Sequence, residues 1–296
     1  MSTLGALPAS VRLEPGAGGL PRLVVTGPAA SAEIYLHGAQ VTRWQPSGHD
    51  DVLRLSRQSR FAEGTAIRGG VPICFPWFGA LDGHPDAPSH GFARVTPWTV
   101  HGAEETGDDV VVTLGLTDSA ATRASHWPHA FHATARITVG AQLAVALTVR
   151  STGDRPVTFE EALHAYLGVG DVRRVEVTGL EGVRYVDKLG GPEPVDPVPG
   201  PVRLTGPTDR IYLAPSGPTT VDDPVGGRRL RITGQGSGTT VLWNPWAAKA
   251  AEMADLGDDE WTGMLCVETS NVGPAAVRLE PGASHTMTAT FAVAPR

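Results

Sequence analysis

The chain has 296 residues, 41% hydrophobic and 19% charged, a globular composition long enough for a core that buries about 75% of the unfolded surface. A formal charge of −7, from 24 basic and 31 acidic residues without a Lys/Arg cluster, speaks against a nucleic-acid partner and leaves room for a small anion held by one or two arginines. No apolar run approaches the ~20 residues of a membrane span, the first twenty residues lack a secretory pattern, and Cys74 and Cys266 are too few for a disulfide framework, so a cytoplasmic protein without a membrane partner is expected.

Glycine (36) and proline (25) make up about a fifth of the chain. Only short apolar segments lie between them, the pattern of many turns in an all-β protein. The run AEIYLHGAQVTRW, residues 32–44, reads as two strands meeting near Gly38. Further strands are expected at 110–116, 136–139 and 143–150, where Leu143, Val145, Leu147 and Val149 share one face at the period of two. Residues 157–163, 174–177, 230–233, 239–243, 264–268, 277–279 and 285–293 read the same way. Helix is expected only at 118–125 and at 245–256, the second stopping at Gly257 as a C-terminal glycine. Residues 192–201, with five prolines in ten positions, read as a long loop inside one domain spanning 1–296. The expected architecture is a large antiparallel β-sandwich of about fifteen strands.

Several familiar motifs fail. GQGSGTT, residues 234–240, leads into a strand instead of a helix, so it lacks the helix N-terminus a nucleotide phosphate uses. There is no GxxxxGK[ST], GxSxG or HExxH. His126, His129 and His132 flank Pro128 without a carboxylate or thiolate at ligand spacing. Neither a metal nor a cofactor is expected.

Three segments combine special-backbone residues with ionisable ones. In AIRGGVPICFPWFG, residues 66–79, Arg68 precedes two glycines that allow close approach to a ligand, followed by a rigid wall of prolines and rings. In SHGFARVTPW, residues 89–98, an extended backbone would put His90, Phe92 and Arg94 on one face. In FEEALHAYLGVGD, residues 159–171, His164 follows an apolar strand, and much later, in CVETSN, Glu268 ends the apolar run MLCV. A carboxylate at the end of a buried strand is costly unless paired or functional.

Together with HGAQVTRW (37–44), VTGLEGVRYVDKL (177–189), TDRIYL (208–213) and VLWNPW (241–246), these collinear segments resemble the hexose-6-phosphate mutarotases, the glucose-6-phosphate 1-epimerases of the aldose-1-epimerase superfamily. The resemblance covers most of the chain. It implies a galactose-mutarotase-like β-supersandwich with His164 and Glu268 as catalytic residues. It further implies Arg68 and Arg94 as holders of the anionic substrate, Asp209 as an acidic binding residue, and His90 as the superfamily's second histidine. Several family members carry Gln before that histidine; here it is Ser89, so the contact from a longer amide is absent.

The implied substrate is a phosphorylated hexose whose anomers interchange by ring opening, with Glu268 as base and His164 as acid on opposite sides of the sugar. No redox change or carbanion is involved. A mutarotase for unphosphorylated aldoses and a non-catalytic sugar-phosphate-binding module are the competing expectations. A monomer or weak homodimer is expected.

Overall fold

The structure is a computed structural model that describes residues 7–296 apart from residue 198. The chain opens with β1 (Val11–Pro15), β2 (Pro21–Thr26), β3 (Ala30–Tyr35) and β4 (Gln40–Pro46), a four-stranded antiparallel meander. Next come β5 (Ile73–Cys74), β6 (Thr99–Thr106), β7 (Asp109–Thr117), α1 (Ala120–Arg123), β8 (Phe131–Val139) and β9 (Gln142–Ser151). Short strands follow: β10 (Val157–Phe159), β11 (Glu161–Leu163), β12 (Tyr166–Gly168), β13 (Glu176–Thr178), β14 (Tyr185–Asp187) and β15 (Pro194–Val195). Then come β16 (Thr208–Leu213), β17 (Thr219–Asp223), β18 (Arg228–Gln235), β19 (Thr239–Asn244), α2 (Trp246–Glu252), β20 (Met264–Asn271), β21 (Val277–Leu279) and β22 (Ser284–Pro295).

Two eight-stranded antiparallel sheets form the body. One runs β13-β17-β18-β22-β9-β8-β7-β6; the other runs β15-β14-β16-β19-β20-β11-β5, with β12 also paired to β20. The first is the regular one. On β9, Leu143, Val145, Leu147 and Val149 are buried, as the period of two requires. They join Leu230, Ile232, Met287 and Phe291 from the same sheet and Leu163, Leu242, Leu265 and Val267 from the other in one continuous apolar cluster. The core therefore fills the space between two packed sheets. No helix among the described residues is long and apolar enough to cross a membrane.

Several expectations need correction. The described residues hold 22 strands where about fifteen were expected, because strands of two or three residues are too short to show a period. Residues 157–163 are not one strand: β10 pairs with β21 and β11 with β20. The break falls at Glu160, whose carboxylate accepts from the Phe78 N–H (3.0 Å) and the Gly273 N–H (2.7 Å). The helix expected to reach Gly257 ends at Glu252, and the turn beyond it packs Leu256 against Tyr166, Met264 and Cys266. The strand expected at 174–177 is displaced to Glu176–Thr178. Within the Pro-rich loop, β15 adds a two-residue edge strand beside β14, a position that tolerates proline.

Candidate active site

Strand register assembles the site. Leu163 stands opposite Thr269 and Tyr166 opposite Cys266, one register carried across the β11–β12 break, which puts His164 directly across from Glu268. On the other flank of β20, Trp243 faces Cys266, and Asp209 on β16 faces Trp243. Beyond β14, the Lys188 N–H bonds to the Asp209 carbonyl (2.9 Å), continuing the ladder by one residue. Directly opposed residues project from the same face of a sheet. Lys188, Asp209, Trp243, Glu268, His164 and Tyr166 thus share one face, while Leu163, Leu242, Leu265 and Val267 enter the core from the other.

His164 Nε2 lies 3.4 Å from Glu268 Oε1, and the two side chains are 7% and 1% exposed. That separation leaves no room for a sugar ring between them, so the expected placement of the two on opposite sides of a sugar does not hold. Burial, then the charges of Arg94 and Arg68, hold His164 well below the usual imidazole range. Burial, then the Asp209 carboxylate, push Glu268 well above the usual carboxylate range against the pull of Lys188 and Arg94. His164 Nδ1 and Glu268 Oε2 are buried without a hydrogen-bond partner among the described residues. The His164 ring stacks on Tyr166 (4.9 Å between centroids) and meets Trp243 edge-on (6.0 Å).

The two arginines differ. The Arg68 guanidinium binds Asp255 Oδ2 through Nε (3.1 Å) and Nη2 (3.0 Å), and donates from Nη1 to the Tyr166 hydroxyl (3.0 Å). Tyr166 first, and Asp255 against the effect of burial, raise its pKa further. Arg94 is 7% exposed. Its Nη2 donates to the Ser89 carbonyl (2.7 Å), its Nε is unpartnered, and no carboxylate among the described residues pairs with it. Burial lowers its pKa.

Two local expectations fail. Segment 89–98 is not extended at its start: His90 (φ 63°) and Gly91 (φ 75°) are left-handed, and residues 93–95 form a 3-10 turn. Phe92 accordingly enters the core against Phe75 and Trp77, while the His90 ring meets Phe78 at 4.7 Å and His164 at 5.4 Å. Gly69 and Gly70 accommodate the chain itself and not a ligand, since a Cβ at either would lie 2.4 Å from the Arg54 carbonyl oxygen or 2.2 Å from that of Val41. Ser89 is exposed and reaches the site only through its backbone carbonyl.

Asp209, 22% exposed, sits 3.7 Å from Lys188 Nζ; burial raises its pKa and Lys188 opposes the rise. Lys188, Tyr166 and Asp255 were not singled out from sequence. Tyr166 was findable, two residues from His164 on a strand; Asp255, in the turn after α2, leaves no periodic signal. No cluster of three His, Cys, Asp or Glu among the described residues is placed to hold a metal.

A cavity of about 370 Å³, lined by Leu189, Pro207, Asp209, Trp243, Trp246 and neighbours, shares Asp209 and Trp243 with this face, and neither His164 nor Glu268 lines it. A larger cleft of about 780 Å³ lies elsewhere, and its charges are spent internally. There Arg43 pairs with Asp51, Arg54 with Glu260, and Arg228 donates to the Asp51 and Gly168 carbonyls.

The family model described as aldose 1-epimerase matches residues 21–292. A protein of Escherichia coli (strain K12) named "Putative glucose-6-phosphate 1-epimerase" is 38% identical over 251 residues, 85% of this chain and 83% of its own. One of the same name from Cenchrus ciliaris is 34% identical over 278 residues, covering 89% of this chain and 82% of that protein. A solved structure from Salmonella typhimurium, described as "a putative mutarotase", superposes with a TM-score of 0.90 at 34% identity, covering 99% of this chain and 96% of that one.

Proposed function

This chain belongs to the aldose 1-epimerase family, and from that premise we propose that it is an isomerase interconverting the α and β anomers of a hexose 6-phosphate, glucose 6-phosphate foremost. One observation carries the reading: a histidine and a glutamate in mutual contact, buried and otherwise unsatisfied, on a sheet face that also carries Asp209.

Opening a pyranose takes one proton from the C1 hydroxyl and delivers one to the ring oxygen. Both oxygens are bonded to C1, so an acid and a base that touch each other serve both. With one proton shared between them, His164 and Glu268 always present one donor and one acceptor. Their opposed pKa displacements favour neutral imidazole with protonated carboxyl in the empty site. A phosphate dianion nearby favours the imidazolium–carboxylate arrangement, in which Glu268 takes the C1 hydroxyl proton and His164 protonates the ring oxygen. The aldehyde then rotates about C1–C2 and the ring closes with the roles reversed.

Arg94 supplies the anion site. A guanidinium buried without a counter-charge costs several kcal/mol, an expense that a bound phosphate offsets through charge-assisted hydrogen bonds. Arg68, already engaged by Asp255, supports it and orders Tyr166 under the histidine. Asp209 accepts from a sugar hydroxyl, and His90 lines the histidine's flank.

Exchange spectroscopy by NMR tests the reading. The protein is expected to accelerate exchange between the anomers of glucose 6-phosphate above the spontaneous rate, and more than it does for glucose. Equal acceleration of both sugars would turn the assignment into a mutarotase of plain aldoses. Binding without acceleration would leave a sugar-phosphate-binding module.

A further inference from the structure

The face that carries the histidine also carries two carboxylates, Glu268 and Asp209, one strand apart across β19. Like charges so placed oppose each other's ionisation. Glu268 must be an anion to act as the base, and Asp209 accepts a hydroxyl most strongly as one, so a nearby positive charge favours both. Arg68 is spent on Asp255, and Arg94 is needed for the phosphate. Lys188 remains.

Only two of the chain's 24 basic residues are lysines; in so arginine-rich a sequence, a lysine at this position stands against the compositional default. Its Nζ lies 3.7 Å from Asp209 Oδ2 and 5.4 Å from the centre of the Phe78 ring. Gly79 (φ 73°) packs under it, and a Cβ there would lie 3.8 Å from Nζ. This seat between a carboxylate and an aromatic face fits a compact ammonium, whereas a planar guanidinium is broader and shaped for two-point contact.

We propose that Lys188 is a positioning residue for anomer exchange: seated between Asp209 and Phe78, its ammonium keeps Asp209 an ionised acceptor and lets Glu268 coexist with it as a base. This rests on the isomerase reading above. The remaining charged or titratable groups around the two carboxylates are His164 and Tyr166 from β11–β12, Cys266 on β20, Cys74 on β5, Arg94, and Asp187 beside Lys188. His90 and Arg68 stand one step further out, against His164 and Tyr166; of the cations Lys188, Arg94 and Arg68, Lys188 is the one in contact with Asp209.

The test compares Lys188→Met with Lys188→Arg. In the Met variant the acidic limb of the kcat/KM profile is expected to move about one unit toward higher pH, with a raised KM from the lost acceptor. The Arg variant should return the limb to its wild-type position while KM stays raised. A merely structural lysine would change melting temperature and leave the limb in place, and an unshifted limb in the Met variant overturns the proposal. Titration of carboxyl-labelled aspartate and glutamate by carbon NMR gives a readout that needs no turnover. If the wild type fails to accelerate exchange, the isomerase reading falls by itself. Lys188 is then judged by whether the Met substitution raises the Asp209 and Glu268 midpoints, and unchanged midpoints refute its role.

Discussion

The sheet holds a histidine–carboxylate contact on each of its faces beside β20, one buried and one partly exposed. On the outer face, Glu268 meets His164 at 3.4 Å; on the core face, Asn271 lies against Glu161, which meets His285 of the opposite sheet at 3.2 Å. The chemistry is the same and the outcomes oppose. Glu161 Oε1 is held by the Asn271 amide (2.9 Å), and His285 Nε2 also lies 2.9 Å from the Gly236 carbonyl, so the hydrogen bond to Glu161 raises the His285 pKa and ties the two sheets together. Around His164 and Glu268 no such donors converge, and two cations press on the imidazole, so burial drives both groups toward their neutral forms. Hydrogen bonds to the charged form make a structural pair. Their absence leaves a pair displaced toward neutrality, the state that the proposed proton exchange uses.

Placing the same substitution on each face breaks the comparison most directly. Glu268→Gln and His164→Asn should each lower anomer exchange about 10²–10⁴-fold, and Glu268→Gln should leave the melting temperature unchanged or raised, because a carboxyl kept near neutrality is replaced by its neutral isostere. Near-native exchange in either variant would remove these residues from the chemistry. Glu161→Gln, on the core face, should leave kcat intact and lower stability.

Arg94 and Arg68 give the next contrast, an unpaired buried cation against a paired one. Arg94→Ala removes a charge-assisted contact worth about 1.5–3 kcal/mol, so KM for glucose 6-phosphate should rise roughly 10–100-fold, with kcat and the kinetics on unphosphorylated glucose much less affected. An equal rise for both sugars would place the phosphate elsewhere.

How much of this was legible varies by residue. The run 143–150 announced its buried face because every second residue is Leu or Val and the strand is long enough to repeat. Glu268 was visible as a carboxylate ending an apolar run, but its pairing with His164, 104 positions away, depends on a register that crosses a break between two three-residue strands. No local pattern encodes that, and only the family resemblance linked the two. Segment 89–94 was misread because two left-handed residues, one of them a histidine, override the extended period. The Gly69–Gly70 pair signalled a close approach correctly while leaving its object open, since a glycine admits a neighbouring strand as readily as a ligand. Lys188 escaped notice because its partner, Asp209, is supplied by the next strand of the sheet.

The smallest expected effect sharpens the core-face half of the comparison. His285 holds its proton more tightly in the folded chain than in the unfolded one, through the hydrogen bond to Glu161. That contribution is complete below the unfolded value of about 6.5 and disappears as pH rises through the higher folded value. The imidazole is 25% exposed, so solvent screening keeps its worth to about 1 kcal/mol. Urea unfolding of the wild type and Glu161→Gln should therefore differ most near pH 6 and converge toward pH 9, as the wild type loses the ion pair the variant never had. A gap that stays constant across that interval would mean that Glu161 stabilises through Asn271 alone, and that the two faces of β20 differ in packing instead of in where the proton resides.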